Sequence, residues 1–256
     1  MNIRGICLKG NISVNNAKIF KKYVEKFDFH NPKVAQKYWH SLRVRDYSKI
    51  LAQYLELSEP DTDIATFIGL THDLGRFVQL KVFNEFSDEN IDHALLSVFI
   101  LFDENLNLEF DMPKDSKEII RKAIFYHNKY EISSSLSERE MLFAKIIRDA
   151  DKIDIMYLLE KSSLVLDEDD KKASPAVDAC FWDNKSIKKD DCVNCTDKIL
   201  LKMAFVFDFN FGKSYEIIQR EKMLDNFYNK LKYKSRYEKY YLHAKEYIEN
   251  RIAELK

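Results

Sequence analysis

Glycine and proline are scarce: five Gly and four Pro in 256 residues, about a third of their usual ~12% share. Folds assembled from many tight turns, such as sandwiches, propellers and up-and-down barrels, need far more of both. Long apolar runs are missing too. The longest, Leu95 to Phe102, is eight residues and contains Ser97, whereas a membrane span needs ~20. The opening Met1-Asn2-Ile3-Arg4-Gly5-Ile6-Cys7 lacks a basic stretch followed by an apolar core, so no secretion signal is expected. Four Cys imply no disulfide framework, and a reducing cytoplasm is the expected setting. Neither sign of charge dominates. With 41 basic and 42 acidic residues the net charge is −1, which removes the electrostatic case for a dedicated nucleic-acid binder.

What is present is helical spacing. From Lys33 to Leu57, Val34, Tyr38, Val44, Tyr47, Leu51 and Tyr54 recur as a buried stripe would, and Pro32 suits the first turn. Pro60 closes a link, Asp61 or Thr62 caps the next helix, and that helix carries Ile64, Phe67, Ile68 and Thr71. Ser87 or Asp88 is expected to cap a helix through Phe102. Asp115 or Ser116 starts another, with Ile119, Ile120, Ile124 and His127 on neighbouring turns. Ser137-Glu138-Arg139-Glu140 reads as a capping box before Met141 to Leu159. Leu166 to Asp191 is mixed and charged, a loop or short-helix region. Thr196 to Phe209 and a long pattern from Ser214 onwards complete an all-α chain. The expected organisation is a core over 14–165 and a helical C-terminal extension over 166–256 packed on it, together one globular unit.

The chemistry concentrates in Thr71-His72-Asp73-Leu74-Gly75-Arg76-Phe77. An imidazole beside a carboxylate suits Mn, Fe, Co, Ni or Zn better than Ca or Mg. Gly75 is expected to let the chain turn tightly after the pair. A His-Asp dipeptide often arises by chance, so its company matters. His40 lies 32 residues upstream in Trp39-His40-Ser41-Leu42-Arg43-Val44. Asp151 lies 78 residues beyond Asp73 in Arg148-Asp149-Ala150-Asp151-Lys152-Ile153-Asp154.

Over residues 30–165 this order and context resembles the HD superfamily of metal-dependent phosphohydrolases, whose pattern is His, His-Asp, then a distant Asp. The resemblance implies an HD-type helical bundle with His40, His72, Asp73 and Asp151 as ligands of one ion. Asp149 and Asp154 are then either acids around the site, helix caps, or plain solvated acids. Some HD branches add two histidines that hold a second metal bridged by the signature Asp. His93, in Asp92-His93-Ala94-Leu95-Leu96, and His127, in Tyr126-His127-Asn128-Lys129-Tyr130, fall at similar positions. The alternative is that each is a hydrogen-bonded core histidine. His30 and His243 read as surface residues.

The resemblance implies one or two divalent ions that generate hydroxide near neutral pH, acting on a small phosphorylated substrate, in this family a nucleotide. Asp73 would bridge the ions or orient the hydroxide. Arg76 stands where relatives carry a basic residue after the signature Gly, and its guanidinium can fork onto phosphate; otherwise it is a surface arginine. Lys129 and Arg43 are weaker candidates of the same kind, and no residue stands out as the acid for the leaving group. A homo-oligomer is compatible with all of this. Two rivals remain: a di-iron oxygenase with the same ligands, and a metal-stabilised sensor or nucleic-acid module without turnover. The basic, tyrosine-rich stretch from Tyr228 to Tyr241 supports the last, although a helix docked by its tyrosines explains it as well. Gly212-Lys213-Ser214 is no phosphate loop, because Phe207 stands where the first Gly is needed. Cys192-Val193-Asn194-Cys195 has no second cysteine pair and reads as ordinary thiols.

Overall fold

The computed structural model describes residues 11–161, 168 and 171–254, and no strand occurs among them. No helix among the described residues is long and apolar enough to cross a membrane. The chain divides after Ala150 into two compact units.

The first unit begins with α1 (Asn11–Val24), α2 (Pro32–Tyr54) and α3 (Glu59–Thr71). α2 starts as its sequence dictates: the Asn31 side chain accepts from Lys33 N–H, and Pro32 fills the first turn. Along the expected stripe Val34, Val44, Tyr47 and Leu51 are buried, whereas Tyr54 is 41% exposed. Ile64, Phe67, Ile68 and Thr71 of α3 are all buried. The cap of α3 is Ser58, not Asp61 or Thr62, and Pro60 belongs to its first turn. A Cβ on Gly69 would lie 2.6 Å from Ser48 Oγ, 2.8 Å from Arg45 Cα and 2.9 Å from Val44 O. The missing side chain therefore lets α2 and α3 meet backbone to backbone.

α4 (Leu74–Phe83) follows after a two-residue joint, and α5 (His93–Val98) after a loop. The α5 cap is Asp92, which accepts from Ala94 and Leu95 N–H, so neither Ser87 nor Asp88 serves there. The helix expected through Phe102 widens at Phe99–Asp103 into a π-helical turn. α6 (Lys117–Tyr126) and α7 (Glu138–Lys161) complete the element order up to the extension. α7 opens on the expected capping box: Glu140 N–H donates to Ser137 Oγ (3.3 Å), and Ser137 N–H to Glu140 Oε2 (2.9 Å). Ser137→Ala should cost about 1 kcal/mol, read as a small drop in thermal midpoint. An unchanged midpoint would show that the box is dispensable. Phe20, Phe77, Ile120, Ile124, Phe143 and Ile147 are fully or almost fully buried, each such side chain contributing on the order of 1.5–3 kcal/mol.

The second unit carries α8 (Pro175–Trp182), α9 (Cys195–Met203), α10 (Gly212–Arg220), α11 (Met223–Asn229) and α12 (Lys234–Glu254). The pattern expected to run unbroken from Ser214 is three helices. Lys222 takes a left-handed φ of 54° between α10 and α11, and a turn separates α11 from α12. The basic, aromatic stretch is docked by its tyrosines. Tyr237 and Tyr240 are buried, and the Tyr240 and Tyr241 hydroxyls donate to Asp178 and Asp225, each at 2.5 Å. Gly212-Lys213-Ser214 opens α10, with Lys213 Nζ paired to Glu216 at 2.8 Å. Among the described residues no metal-competent cluster includes Cys192 or Cys195. Burial first, then Asp197 and Asp191, pushes the Cys192 thiol up to about 11, so at neutral pH it is a poor nucleophile.

Candidate metal centre

The His-Asp pair occupies the joint between two helices. His72 is the C-terminal cap of α3, and Asp73, with φ −109° and ψ 20°, precedes the first turn of α4. α1 steadies this joint: the Tyr23 hydroxyl donates to Leu74 O (3.2 Å). Gly75 does not turn the chain, since no glycine among the described residues has positive φ. It lies inside α4, where a Cβ would fall 2.4 Å from His93 O and 3.0 Å from both Leu96 Cβ and Ser97 N. Its N–H donates to Ser97 Oγ (2.9 Å), and that hydroxyl donates to His93 O (2.8 Å). The glycine is there so that α4 and α5 can touch.

Five side chains from four places converge on Asp73. Its Oδ2 lies 3.2 Å from His40 Nε2, 3.4 Å from His72 Nε2 and 2.5 Å from Lys37 Nζ. Its Oδ1 lies 3.4 Å from His93 Nε2 and 3.7 Å from His127 Nε2. Two buried triads result, His40–His72–Asp73 and Asp73–His93–His127, each with ligand atoms within 4.8 Å of one another. One carboxylate serves both, an oxygen to each.

The hydrogen bonds behind three of the rings fix which nitrogen faces inward. His72 Nδ1 meets Gly69 O at 2.9 Å, His127 Nδ1 meets Ile124 O at 2.6 Å, and His93 Nδ1 meets Asp88 Oδ1 at 2.6 Å. A carbonyl or carboxylate oxygen only accepts, so each Nδ1 carries a proton and each ring turns its Nε2 toward Asp73. His93 Nε2 and His127 Nε2 stand 3.0 Å apart. Nitrogen and oxygen donors so arranged fit a divalent transition ion, and backing groups of this kind orient metal-binding histidines.

Electrostatics agree. Burial alone would push the Asp73 carboxyl up, but Lys37, followed by His72, His127 and His40, holds it well below the usual carboxylate range. Burial lowers His93 to about 4 against the opposing pull of Asp88 and Asp73. At neutral pH the site therefore holds a carboxylate and a neutral His93, the states a metal requires.

The remaining expected residues are placed differently. Arg76 turns its guanidinium to Asp88, with Nη1–Oδ1 at 3.0 Å, and donates to Gln79 Oε1 at 2.6 Å. Lys129 pairs with Asp92, whose carboxyl is lowered against its burial mainly by that lysine. Arg43 lies half-buried on α2 and Asp151 half-buried on α7, as the first residue of the second unit. Asp149 and Asp154 are fully buried within α7, so neither is a solvated acid or a helix cap. His30 is exposed, and His243 is half-buried with Nε2 2.8 Å from Asn184 Oδ1. Three residues escaped the sequence reading. Lys37 precedes His40 by three positions and so shares its helix face, a signal that was there to use. Asp88, expected as a helix cap, instead stands behind His93, with Oδ1 2.6 Å from its Nδ1. Arg148 is buried and donates to the carbonyls of Tyr126, Lys129 and Tyr130, bracing the turn after His127.

The family model of the HD domain matches residues 38–156. No curated protein and no solved structure matches the chain. The matched segment takes in His40, the His72–Asp73 joint, His93, His127 and Asp151. Helices alone, with a buried His/Asp cluster at their joints, carry residues 38–156, and this segment is an HD domain.

Proposed function

We propose that this chain is a metal-dependent phosphohydrolase. The observation that carries the reading is the sharing of Asp73 between two histidine pairs. His40, His72 and Asp73 Oδ2 would hold one divalent ion, with Asp151 as the further ligand that the family order implies. Asp73 Oδ1, His93 and His127 would hold a second. A divalent ion bound there would make a water acidic enough to supply hydroxide near neutral pH, and a pair of ions would stabilise the oxygens of an in-line displacement.

The protein's own groups do the rest. Asp73 stays ionised through its surroundings and sets the spacing between the two triads. The histidines turn their Nε2 atoms toward the shared carboxylate, and His93 does so as a neutral ring. Lys37, on the edge of the cluster with a side chain 16% exposed, is better placed to meet a phosphoryl oxygen than Arg76 or Lys129, which face Asp88 and Asp92. The substrate is a small phosphorylated molecule, and the nucleotide preference rests on the family alone.

The test is a screen of purified protein with Mn, Co, Ni, Fe and Mg across nucleotides and general phosphoesters, alongside metal analysis. Phosphate release should require a transition ion and vanish on chelation. Absence of release with every metal and substrate would sink the proposal. Two irons per chain with oxygen uptake and no phosphate release would establish the oxygenase alternative.

A further inference from the structure

Asp88, its side chain 36% exposed, is the hub of a small hydrogen-bonded network that the hydrolytic chemistry does not require at first sight. Its Oδ1 lies 2.6 Å from His93 Nδ1, 3.3 Å from His93 N, 3.0 Å from Arg76 Nη1 and 3.1 Å from Gln79 Nε2, and its Oδ2 lies 3.5 Å from Arg76 Nη2. Gln79, 1% exposed, also donates to Ser87 O (2.9 Å) and Ile91 O (2.6 Å) and accepts from Arg76. The α4–α5 loop is thereby laced to α4, and its one inward carboxylate is aimed at the back of His93.

His93 differs in this from its neighbours. His72 and His127 lean on carbonyls three residues back in their own chain, so their tautomers come with the helix ends that carry them. His93 sits in the first turn of α5, where no carbonyl lies behind it, and the acceptor has to come from outside the helix. A carboxylate is also a stronger acceptor than a carbonyl and makes the imidazole a better donor to a cation.

We propose that Asp88, held by Arg76 and Gln79, is the positioning residue that fixes the His93 tautomer and so sets the metal affinity of the Asp73–His93–His127 triad. This rests on the metal-dependent reading above. It gives Arg76 a role through Asp88, away from the substrate.

Asp88→Asn is the informative variant, because an amide of the same shape can donate to Nδ1 and so stabilise the wrong tautomer. Manganese titration of the wild-type protein should show two equivalents. In Asp88→Asn one equivalent should weaken about 10–100-fold while the other is unchanged, and Asp88→Glu should recover part of the loss. In the metal-free proteins the His93 ring nitrogens, read by ¹⁵N NMR, should show Nδ1 protonated in the wild type and a shift toward protonated Nε2 in Asp88→Asn. Asp88→Ala, which removes the acceptor, should weaken the same equivalent.

Unaltered affinity in both Asp88→Asn and Asp88→Ala, or lost affinity with an unaltered His93 tautomer, would overturn the proposal. A wild-type protein that takes up no metal would instead overturn the metal-dependent reading, and the metal-free NMR comparison would still decide whether Asp88 sets the tautomer.

Discussion

On the proposed two-ion phosphohydrolase reading, Asp73→Asn should empty both triads and reduce phosphate release by more than about a thousandfold. The figure is conservative, since metal binding that brings the ionisation of water down to near neutral pH raises the available hydroxide by roughly eight orders of magnitude. Asparagine keeps the volume of the side chain but removes the charge that both triads share. The histidines would survive in place, but the second triad would have no anion left and the first only Asp151, and so little negative charge holds a divalent ion poorly. Folding should persist, because Lys37 sits at the edge of the cluster and can turn its ammonium to water. Equilibrium dialysis, phosphate release and circular dichroism together make the check. A folded variant that still binds two ions, or turns over at the wild-type rate, would remove Asp73 from the centre of the mechanism.

The second large effect is expected from one methyl group. Gly75→Ala places a Cβ 2.4 Å from His93 O and 3.0 Å from Ser97 N, and neither backbone atom can step aside as a side-chain tip could. Overpacking of this kind costs about 1–3 kcal/mol, occasionally more, which for a chain of this size lowers the thermal midpoint by roughly 2–12 °C. The first turn of α5 must also move, and it carries His93. Weaker binding at the His93–His127 triad should therefore accompany the lost stability. If the midpoint and the second metal equivalent both stay where they are, α4 and α5 are not held at van der Waals distance by the glycine.

Much of this was open to reading from residues alone, and the reason is physical. Helical spacing is a local property, so Val44, Leu51, Ile64, Phe67, Ile120 and Ile124 announce their buried faces within their own segments. The candidate site is assembled from residue types that rarely recur in one chain by chance in this order, and His40, His72, Asp73, His93 and His127 do lie together. What escaped depends on how separate segments approach. Asp88 looks like any helix-capping aspartate until the α4–α5 loop brings it behind His93. Gly75 looks like a turn glycine until α5 is laid across it. The break at Lys222 carries no Gly or Pro, and only a left-handed lysine marks it. Asp149 and Asp154 stand in a mixed stretch of charged and apolar residues, and their burial comes from the packing of α7 rather than from their own residue type.

Asp73 offers its two oxygens to different triads, yet they belong to one planar group about a single carbon. They cannot be adjusted independently: a rotation that improves the fit of Oδ2 to His40 and His72 shifts Oδ1 relative to His93 and His127. On the two-ion reading, occupancy on one side is thus thermodynamically linked to occupancy on the other, and by reciprocity each ion alters the affinity for its neighbour by the same factor. Loading would then be cooperative in one direction or the other, with its sign set by the pose in which the carboxylate relieves both sides at once.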